Sequence, residues 1–309
     1  MANDLETKNG ATRRAALECM LWAGSGVVWT MVGGIPRSSV MAQPAAGAGS
    51  GFSFVQISDS HLGFSAAPNT DVTGTLQEAL DRAKALKPSM MIHTGDVSHL
   101  SKPAQFDTAR QLIEKVGVET HYVPGEHDVL VDEGAGFFAQ FTKGGEHGYY
   151  SFDDHGVHFV GLNNVQNLQA GGLGNLGAEQ LAWLAKDLQG RAASQPIVVF
   201  AHIPLWTVNA EWGWGTADGE QALGYLKRFG SVTVLNGHIH QVMQKVEGHV
   251  AFHTARSTAF PQPAPGTAPS PGPMKSVAAD KLKSMLGIRQ VKLITVAAPL
   301  AIVDSTLEG

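Results

Sequence analysis

Short motifs of Asp, Glu and His recur along this chain, and each follows directly after an apolar run. A mixture of carboxylate oxygens and imidazole nitrogens suits Fe, Mn or Zn better than Ca or Mg. Two such ions, held about 3.5–4 Å apart, lower the pKa of a bound water and stabilise the oxygens of an in-line displacement. One motif alone occurs by chance in most proteins, so their shared placement is what predicts a metal site. The motifs are Asp59-Ser60-His61, Gly95-Asp96, Gly125-Glu126-His127-Asp128, Ala201-His202 and Gly237-His238-Ile239-His240.

The apolar runs before these motifs predict β-strands, because the runs are short and end at the motifs. Helical patterns separate the first three runs: one is apolar from Leu76 to Leu86, and the other extends from Pro103 to Gly117. This alternation indicates parallel βαβ units, whose strands all end at one edge of a sheet. The strands are predicted at 52–58, 90–92, 120–123, 197–200 and 232–235, and two more helices at 178–188 and 221–228.

The rest of the chain predicts antiparallel strands and one irregular segment. A hairpin is expected over 149–152 and 157–162, and a strand pair over 242–246 and 250–254. The Pro-rich segment 261–273 forms neither a regular helix nor a central strand, so we expect an extended strap over the surface. Beyond it, in 274–309, closing strands are predicted at 291–296 and 300–303.

Residues 1–42 have the pattern of an export signal. Arg13 and Arg14 precede an uncharged, Gly-dotted stretch, and the small residues around Ala42 suit signal peptidase. The segment resembles a bacterial twin-arginine signal, which implies a folded periplasmic protein with 43–51 as a flexible linker. The alternative is an uncleaved anchor in the inner membrane. A cut near Ala42 removes Cys19, the one cysteine of the chain, so any metal ligands must be nitrogen and oxygen.

Composition narrows the class of protein. A chain of 309 residues with 43% hydrophobic and 16% charged residues buries a sizeable core. The net charge is -5, and the sequence contains no cluster of basic residues. We therefore expect no nucleic-acid duplex as a partner, and contact with a membrane only during export.

In their order and placement, the five motifs resemble those of the calcineurin-like metallophosphoesterases over 52–260. The resemblance implies an α/β fold in which helices flank a two-sheet β-sandwich, with a dinuclear centre at the carboxyl ends of the central strands. It also implies hydrolysis of a small phosphomonoester or phosphodiester by a hydroxide that bridges two Fe, Mn or Zn ions. The alternative on the same fold is a metal sensor, a metal store or a redox di-metal protein with little or no hydrolytic activity.

The resemblance also implies a role for each motif residue. Asp96 would bridge both metals, and His127 would stabilise developing charge or protonate the leaving oxygen without being a ligand. One metal would be held by Asp59, His61 and His240, and the other by Glu126, His202 and His238.

Two positions depart from the family pattern. Glu126 stands where relatives carry Asn, and it adds a negative charge where an anionic substrate approaches. His99 stands where many relatives carry an Asp that orients the catalytic imidazole. Asp128 is expected to support backbone geometry.

Four more residues are candidates for contact with substrate. Trp206, Trp212 and Trp214 follow His202 and form either a substrate wall or ordinary packing, and Arg256 is a candidate phosphate clamp.

Overall fold

The computed structural model describes residues 27–32, 35–40, 51–142, 147–293 and 300–308. Two units divide the chain, 1–48 and 49–309. In the first, β1 (Val27–Val32) and β2 (Ile35–Val40) pair antiparallel. The twin-arginine motif and the expected cleavage site lie outside the described residues. Within the part of the chain that is described, no helix has the length and apolar character needed to cross a membrane.

The second unit consists of two mixed sheets with helices packed on them. The remaining strands are β3 (Ser53–Ile57), β4 (Met90–His93), β5 (Thr120–Tyr122), β6 (Tyr150–Asp154), β7 (Val157–Gly161), β8 (Ile197–Ala201), β9 (Val232–Asn236), β10 (Gln244–Glu247), β11 (Val250–Thr254), β12 (Gly287–Lys292) and β13 (Ala301–Thr306). The helices are α1 (Val72–Ala85), α2 (Pro103–Glu114), α3 (Ala135–Phe141), α4 (Gly177–Leu188), α5 (Gly219–Leu226) and α6 (Ala279–Met285).

Each sheet combines parallel and antiparallel strands. The five-stranded sheet has the order β13-β12-β3-β4-β5, with β3, β4 and β5 parallel. The six-stranded sheet has the order β10-β11-β9-β8-β7-β6, with β7, β8, β9 and β11 parallel. The carboxyl ends of β3, β4, β5, β8 and β9 carry the five motifs. The predicted two-sheet α/β architecture is therefore confirmed.

The period-two alternation of strand side chains divides the core into layers. In β8, Ile197 and Val199 face the helices of the six-stranded sheet, whereas Val198 and Phe200 pack between the two sheets. In β3, Val55 faces the helices of the other sheet and Phe54 points into the inter-sheet layer. Because both of its faces are buried, β8 is apolar throughout, as parallel strands usually are.

Some elements differ from the sequence-based prediction. Helices α3 and α6 were not predicted. Strand β12 covers Gly287–Lys292 rather than 291–296, and 294–299 lie outside the described residues. The Pro-rich segment contains no helix or strand, as predicted, and it lies close to the metal motifs. Gln262 within it donates through Nε2 to the carbonyl of His238 at 2.8 Å.

Candidate metal centre

The loops after the five motif-bearing strands bring the predicted ligands together. Their donor atoms form overlapping groups in which all atoms lie within 4.8 Å of one another. The groups include Asp59 with His61 and His240, Glu126 with His202 and His238, and Asp59 with Asp96 and His202. The first two are the sets expected for two separate metals, and Asp59, His61, Asp96, His202 and His240 are all buried.

The first group converges through nitrogen and oxygen atoms that face each other. Nε2 of His240 lies 3.3 Å from Oδ1 of Asp59 and 3.3 Å from Nε2 of His61. Nδ1 of His240 lies 2.5 Å from the carbonyl oxygen of Phe260, which can only accept a hydrogen bond. The proton of a neutral imidazole is therefore fixed on Nδ1, and the lone pair of Nε2 points into the group.

The second group has Glu126 between two imidazoles. Its Oε2 lies 2.9 Å from Nε2 of His202, and its Oε1 lies 3.0 Å from Nδ1 of His238. Nδ1 of His202 donates to the carbonyl oxygen of Thr94 at 2.7 Å, so a neutral His202 also directs an Nε2 lone pair inward. Glu126 thus points into the site rather than toward solvent.

Asp96 lies between the two groups. Its Oδ2 is 3.4 Å from Nε2 of His61 and 3.4 Å from Nε2 of His202. The other oxygen, Oδ1, accepts a hydrogen bond from the backbone N–H of His127 at 3.0 Å. Asp96 is therefore within reach of both groups.

The loops that carry the ligands have unusual backbone conformations. Positive φ angles occur at Asp59 (53°), His61 (43°), Asp96 (54°), His238 (69°) and His240 (53°). Such angles cost non-glycine residues free energy and persist where surrounding contacts enforce them, often at functional sites. Backbone bonds between the loops supply such contacts, including the N–H of Asp59 to the carbonyl of Gly95 at 3.0 Å and that of His61 to Asp96 at 2.9 Å.

Glycines in the motifs permit the close approach of these loops. A Cβ at position 125 would lie 2.1 Å from Oδ1 of Asp96, and one at position 237 would lie 2.0 Å from Oγ of Ser58. Both distances are far below van der Waals contact, so Gly125 and Gly237 leave the space in which the ligands pack.

The donor chemistry fits a pair of metal ions. Oδ2 of Asp59 is buried and has no hydrogen-bond partner among the described residues, an arrangement that costs free energy unless a cation compensates it. His61 and His240 face each other through Nε2, although a nitrogen without a proton cannot donate to another. A shared cation resolves both conflicts, and oxygen with imidazole nitrogen is a donor set for Fe, Mn or Zn.

Neighbouring charges shift the pKa values of several ligand side chains strongly. Burial alone would raise the pKa of Asp59, but His240 and His202 lower it to about 2. Burial likewise opposes ionisation of Glu126, yet His238 and His202 hold its pKa well below the usual range. Burial would lower the pKa of His202, and the charges of Asp96 and Glu126 raise it well above the usual range. Asp59 and Glu126 are therefore ionised and attract cations.

His127 lies beside the first group, with its ring centroid 4.8 Å from that of His61. Its Nδ1 donates to the carbonyl oxygen of His99 at 2.8 Å. Burial opposes protonation of His127, but Asp96 and Glu126 raise its pKa. A backbone carbonyl, that of His99, therefore orients the imidazole of His127.

Asp128 is buried behind the ligand loops and holds their backbones. It accepts hydrogen bonds from the N–H groups of Val97 (3.0 Å), Ser98 (2.8 Å) and Gly125 (3.1 Å). Burial and the charge of Asp96 raise its pKa to about 7, despite these bonds. Its contacts match the expected supporting role.

The contacts of the candidate substrate residues lie in several parts of the unit. The ring of Trp206 packs 5.0 Å from that of Phe252, within the core of the six-stranded sheet. Trp212 packs edge-on against the buried Trp214, at 5.0 Å. Arg256 lies against Gly287 of β12, and its charge lowers the pKa of Arg289. Substrate contact by Trp206, Trp212 and Arg256 stays a prediction.

The sequence did not indicate two groups of contributors. Thr94 and Phe260 act through backbone carbonyls, which every residue type possesses, so no sequence signal identifies them. Ser101 was not singled out as a site residue. Its hydroxyl donates to the carbonyl of His127 at 2.8 Å and accepts from the N–H of Leu130 at 2.9 Å.

Comparison with known proteins places the chain in a family. A sequence profile described as calcineurin-like phosphoesterase matches residues 52–242, which is more than half of the chain. A cAMP/cGMP dual specificity phosphodiesterase from Mycobacterium tuberculosis is 26% identical over 226 residues, covering 67% of this chain and 68% of the relative. A glycerophosphodiester phosphodiesterase from Enterobacter lignolyticus is 25% identical over 182 residues, covering 57% of this chain and 63% of the relative.

The solved structures support the same fold. A dimetal phosphatase from Danio rerio is 14% identical and covers 83% of this chain and 99% of its own length, with a TM-score of 0.57. Profile, relatives and clustered ligands agree: the chain belongs to the calcineurin-like phosphoesterase family and is a metal-dependent hydrolase of phosphate esters.

Proposed function

We propose that this protein is a dinuclear phosphodiesterase that acts on a small phosphodiester. The observation that carries the proposal is the position of Asp96, whose Oδ2 is 3.4 Å from both His61 and His202. The two relatives are named as phosphodiesterases, which favours a diester over a monoester as the substrate class. Cyclic nucleotides and glycerophosphodiesters are therefore the first substrates to test.

The chain would hold one ion with Asp59, His61 and His240, and a second with Glu126, His202 and His238, with Asp96 shared by both. When bound, such an ion pair lowers the pKa of water and neutralises the charge of the phosphate ester. Hydrogen bonds within the protein orient the ligand side chains before metal binds. The carbonyls of Thr94 and Phe260 fix the orientation of His202 and His240, which limits reorganisation on binding.

His127 is positioned to hold a proton for the leaving oxygen. Its Nδ1 proton is committed to the carbonyl of His99, so its Nε2 is the atom that exchanges a proton with substrate. The charges of Asp96 and Glu126 raise its pKa, which favours the protonated ring before the ester breaks. These groups also attract the imidazolium, so the ring stays directed toward the metal groups.

Glu126 sets the electrostatic character of this centre. It contributes a carboxylate where relatives carry a neutral amide, and repulsion between two unit charges at 4 Å is about 4 kcal/mol at an effective dielectric of 20. The same charge binds a cation more tightly. We infer that it favours a more highly charged ion such as Fe(III), with Mn and Zn as the other candidates.

We further infer that the protein is exported to the periplasm in its folded state, with cleavage near Ala42. The proposal rests on the paired arginines, the uncharged stretch and the small residues before Gln43. Retention of the segment as a membrane anchor is the competing outcome of the test given below.

The test of the enzymatic proposal combines metal analysis with an ester panel. The purified protein is reconstituted separately with Fe, Mn and Zn and assayed on bis(para-nitrophenyl) phosphate, para-nitrophenyl phosphate, cAMP, cGMP and a glycerophosphodiester. We expect two ions per chain and faster turnover of diesters than of the monoester. Bound metal without turnover of any ester contradicts the proposal and supports a sensor or storage role.

A further inference from the structure

His99 lies against the metal centre without belonging to either expected ligand set. Its backbone N–H donates to the carbonyl of Leu62 at 3.0 Å, which ties it to the loop after β3. Its half-buried ring stacks on His127 at 4.8 Å with an angle of 17°, and packs edge-on against Phe64 at 5.2 Å. The ring is therefore held between His127 and Phe64, and the backbone of His99 is fixed to the neighbouring loop.

The ring of His99 meets the nitrogen of His61 that faces away from the ligand group. Nδ1 of His99 lies 3.3 Å from Nδ1 of His61. The other nitrogen of His61, Nε2, lies near Oδ2 of Asp96 and Nε2 of His240, so it is the atom available to a cation. A neutral His61 that ligates through Nε2 carries its proton on Nδ1 and must donate it.

The three ligating imidazoles that direct Nε2 inward differ in how this second nitrogen is satisfied. His202 donates to the carbonyl of Thr94, and His240 donates to the carbonyl of Phe260. A carbonyl only accepts, so it fixes the tautomer without further help. His61 instead meets an imidazole nitrogen, which accepts only when it carries no proton.

We propose that His99 is a positioning residue: its Nδ1 accepts the Nδ1 proton of His61 and thereby holds His61 in the tautomer and orientation that bind metal. The proposal rests on the dinuclear function proposed above. It concerns the side chain alone, because the bond from His127 goes to the carbonyl of His99, which any residue at this position retains.

The test is a metal titration of the metal-free protein. Binding of Zn²⁺ is monitored by calorimetry, and binding of Co²⁺ by its visible absorption spectrum. Three variants separate hydrogen bonding from packing. His99→Ala removes the ring, His99→Phe keeps an aromatic ring without an acceptor, and His99→Asn restores an acceptor oxygen near the position of Nδ1. His249→Ala, at an exposed position between β10 and β11, is the control histidine.

We expect the wild type to bind two ions, and His99→Ala and His99→Phe to weaken one binding step by about 10- to 100-fold. His99→Asn should recover most of that loss, and His249→Ala should match the wild type. Thermal unfolding of each metal-free variant shows whether the fold is retained.

Two results would overturn the positioning role. The first is a folded His99→Phe variant that binds both ions as tightly as the wild type. The second is a His99→Asn variant that is as weak as His99→Phe. A wild-type protein that binds fewer than two ions would instead contradict the dinuclear function itself, and the proposal with it.

Discussion

At the scale of single residues, Asp96 connects the two halves of the centre. One of its oxygens faces His61 and His202, and the other is held by the N–H of His127. We expect Asp96→Ala to lose most of both ions, because removing a shared ligand weakens both sites. Elemental analysis after dialysis measures this, with Asp81→Ala at an exposed helix position as the control. Retention of two ions in Asp96→Ala would exclude a bridging role.

Glu126 places a carboxylate between the imidazoles of His202 and His238. Glu126→Asn removes a negative charge from the substrate side of the centre while keeping an oxygen donor. We expect turnover or metal preference to change at least several-fold, since even a fraction of the roughly 4 kcal/mol charge term is large. Glu126→Gln removes the same charge but keeps the length of the side chain, so it distinguishes the effect of charge from the effect of side-chain length. Unchanged rate and metal preference in both variants would mean that Glu126 does not contact the metals.

The charges of the centre also predict how the metal-free protein responds to pH. Asp96 and Glu126 raise the pKa of His202 well above its unfolded value of about 6.5. A raised pKa stabilises the fold below the unfolded value, and this contribution is lost as pH rises through the folded value. The contribution of His202 therefore falls above about pH 6.5, whereas buried histidines with lowered pKa values, such as His61 and His93, act in the opposite direction. We expect the part due to His202 to show as a smaller loss of thermal stability with rising pH in metal-free Glu126→Gln than in the metal-free wild type.

Bound metal reverses the trend, because His202 must lose its proton to ligate. Melting curves near pH 6 and near pH 9, with and without chelator, measure the difference. The same dependence of stability on pH in the metal-free wild type and in metal-free Glu126→Gln would contradict this charge arrangement.

Much of the candidate site follows from sequence, because its ligands are side chains of distinctive type at strand ends. Asp59, His61 and His202 are examples, and the structure brings them within reach of one another. The roles of the Thr94 and Phe260 carbonyls could not be predicted from the sequence, because every residue type has a backbone carbonyl. The contact between His99 and His61 depends on how two loops pack, which local sequence does not specify.

At the scale of elements, tight turns at the strand ends place the ligands. Gly125→Ala would put a Cβ 2.1 Å from Oδ1 of Asp96, so the loops after β4 and β5 must separate. We expect at least a ten-fold loss of metal affinity, because changes at residues that only hydrogen-bond to a ligand already cost that much. Gly224→Ala is the matched control: it lies in α5 with nothing within 4 Å of the added Cβ.

In a helix this control change should leave metal binding intact and stabilise the fold by about 0.5–1 kcal/mol. Calorimetric metal titration and chemical unfolding measure the two effects. Normal metal affinity in Gly125→Ala would show that the close packing of these loops is dispensable.

The two helices that were not predicted have weak apolar periodicity in their sequences. Helix α3 covers only Ala135–Phe141, too short for apolar periodicity to emerge. Helix α6 buries a single residue, Leu282, so it has no apolar stripe. By contrast, the buried strands β8 and β9 are apolar runs with clear boundaries, and their positions followed from sequence.

At the scale of the whole molecule, the two sheets meet so that strands from both contribute ligands. Neither sheet holds a complete ligand set alone: the loop after β3 carries Asp59 and His61, whereas the loop after β9 carries His238 and His240. This arrangement explains why the motifs are spread along the chain. It also means that metal binding reports on docking of the two sheets.

The proposed export concerns the whole precursor chain. We expect the mature protein from the periplasmic fraction to begin near Gln43, and replacement of Arg13 and Arg14 by Lys to retain the precursor in the cytoplasm. N-terminal sequencing and intact mass measure both. Periplasmic protein that still begins at Met1 or Ala2 would contradict cleavage.

The central claim is that two metal ions share Asp96 and that Glu126 binds the second. A crystal structure of the reconstituted protein, with anomalous scattering recorded at the metal absorption edges, tests it most directly. We expect two ions about 3.5–4 Å apart, with an oxygen of Asp96 between them and Glu126 on the ion held by His202 and His238. A single ion, or a Glu126 side chain turned to solvent, would contradict it.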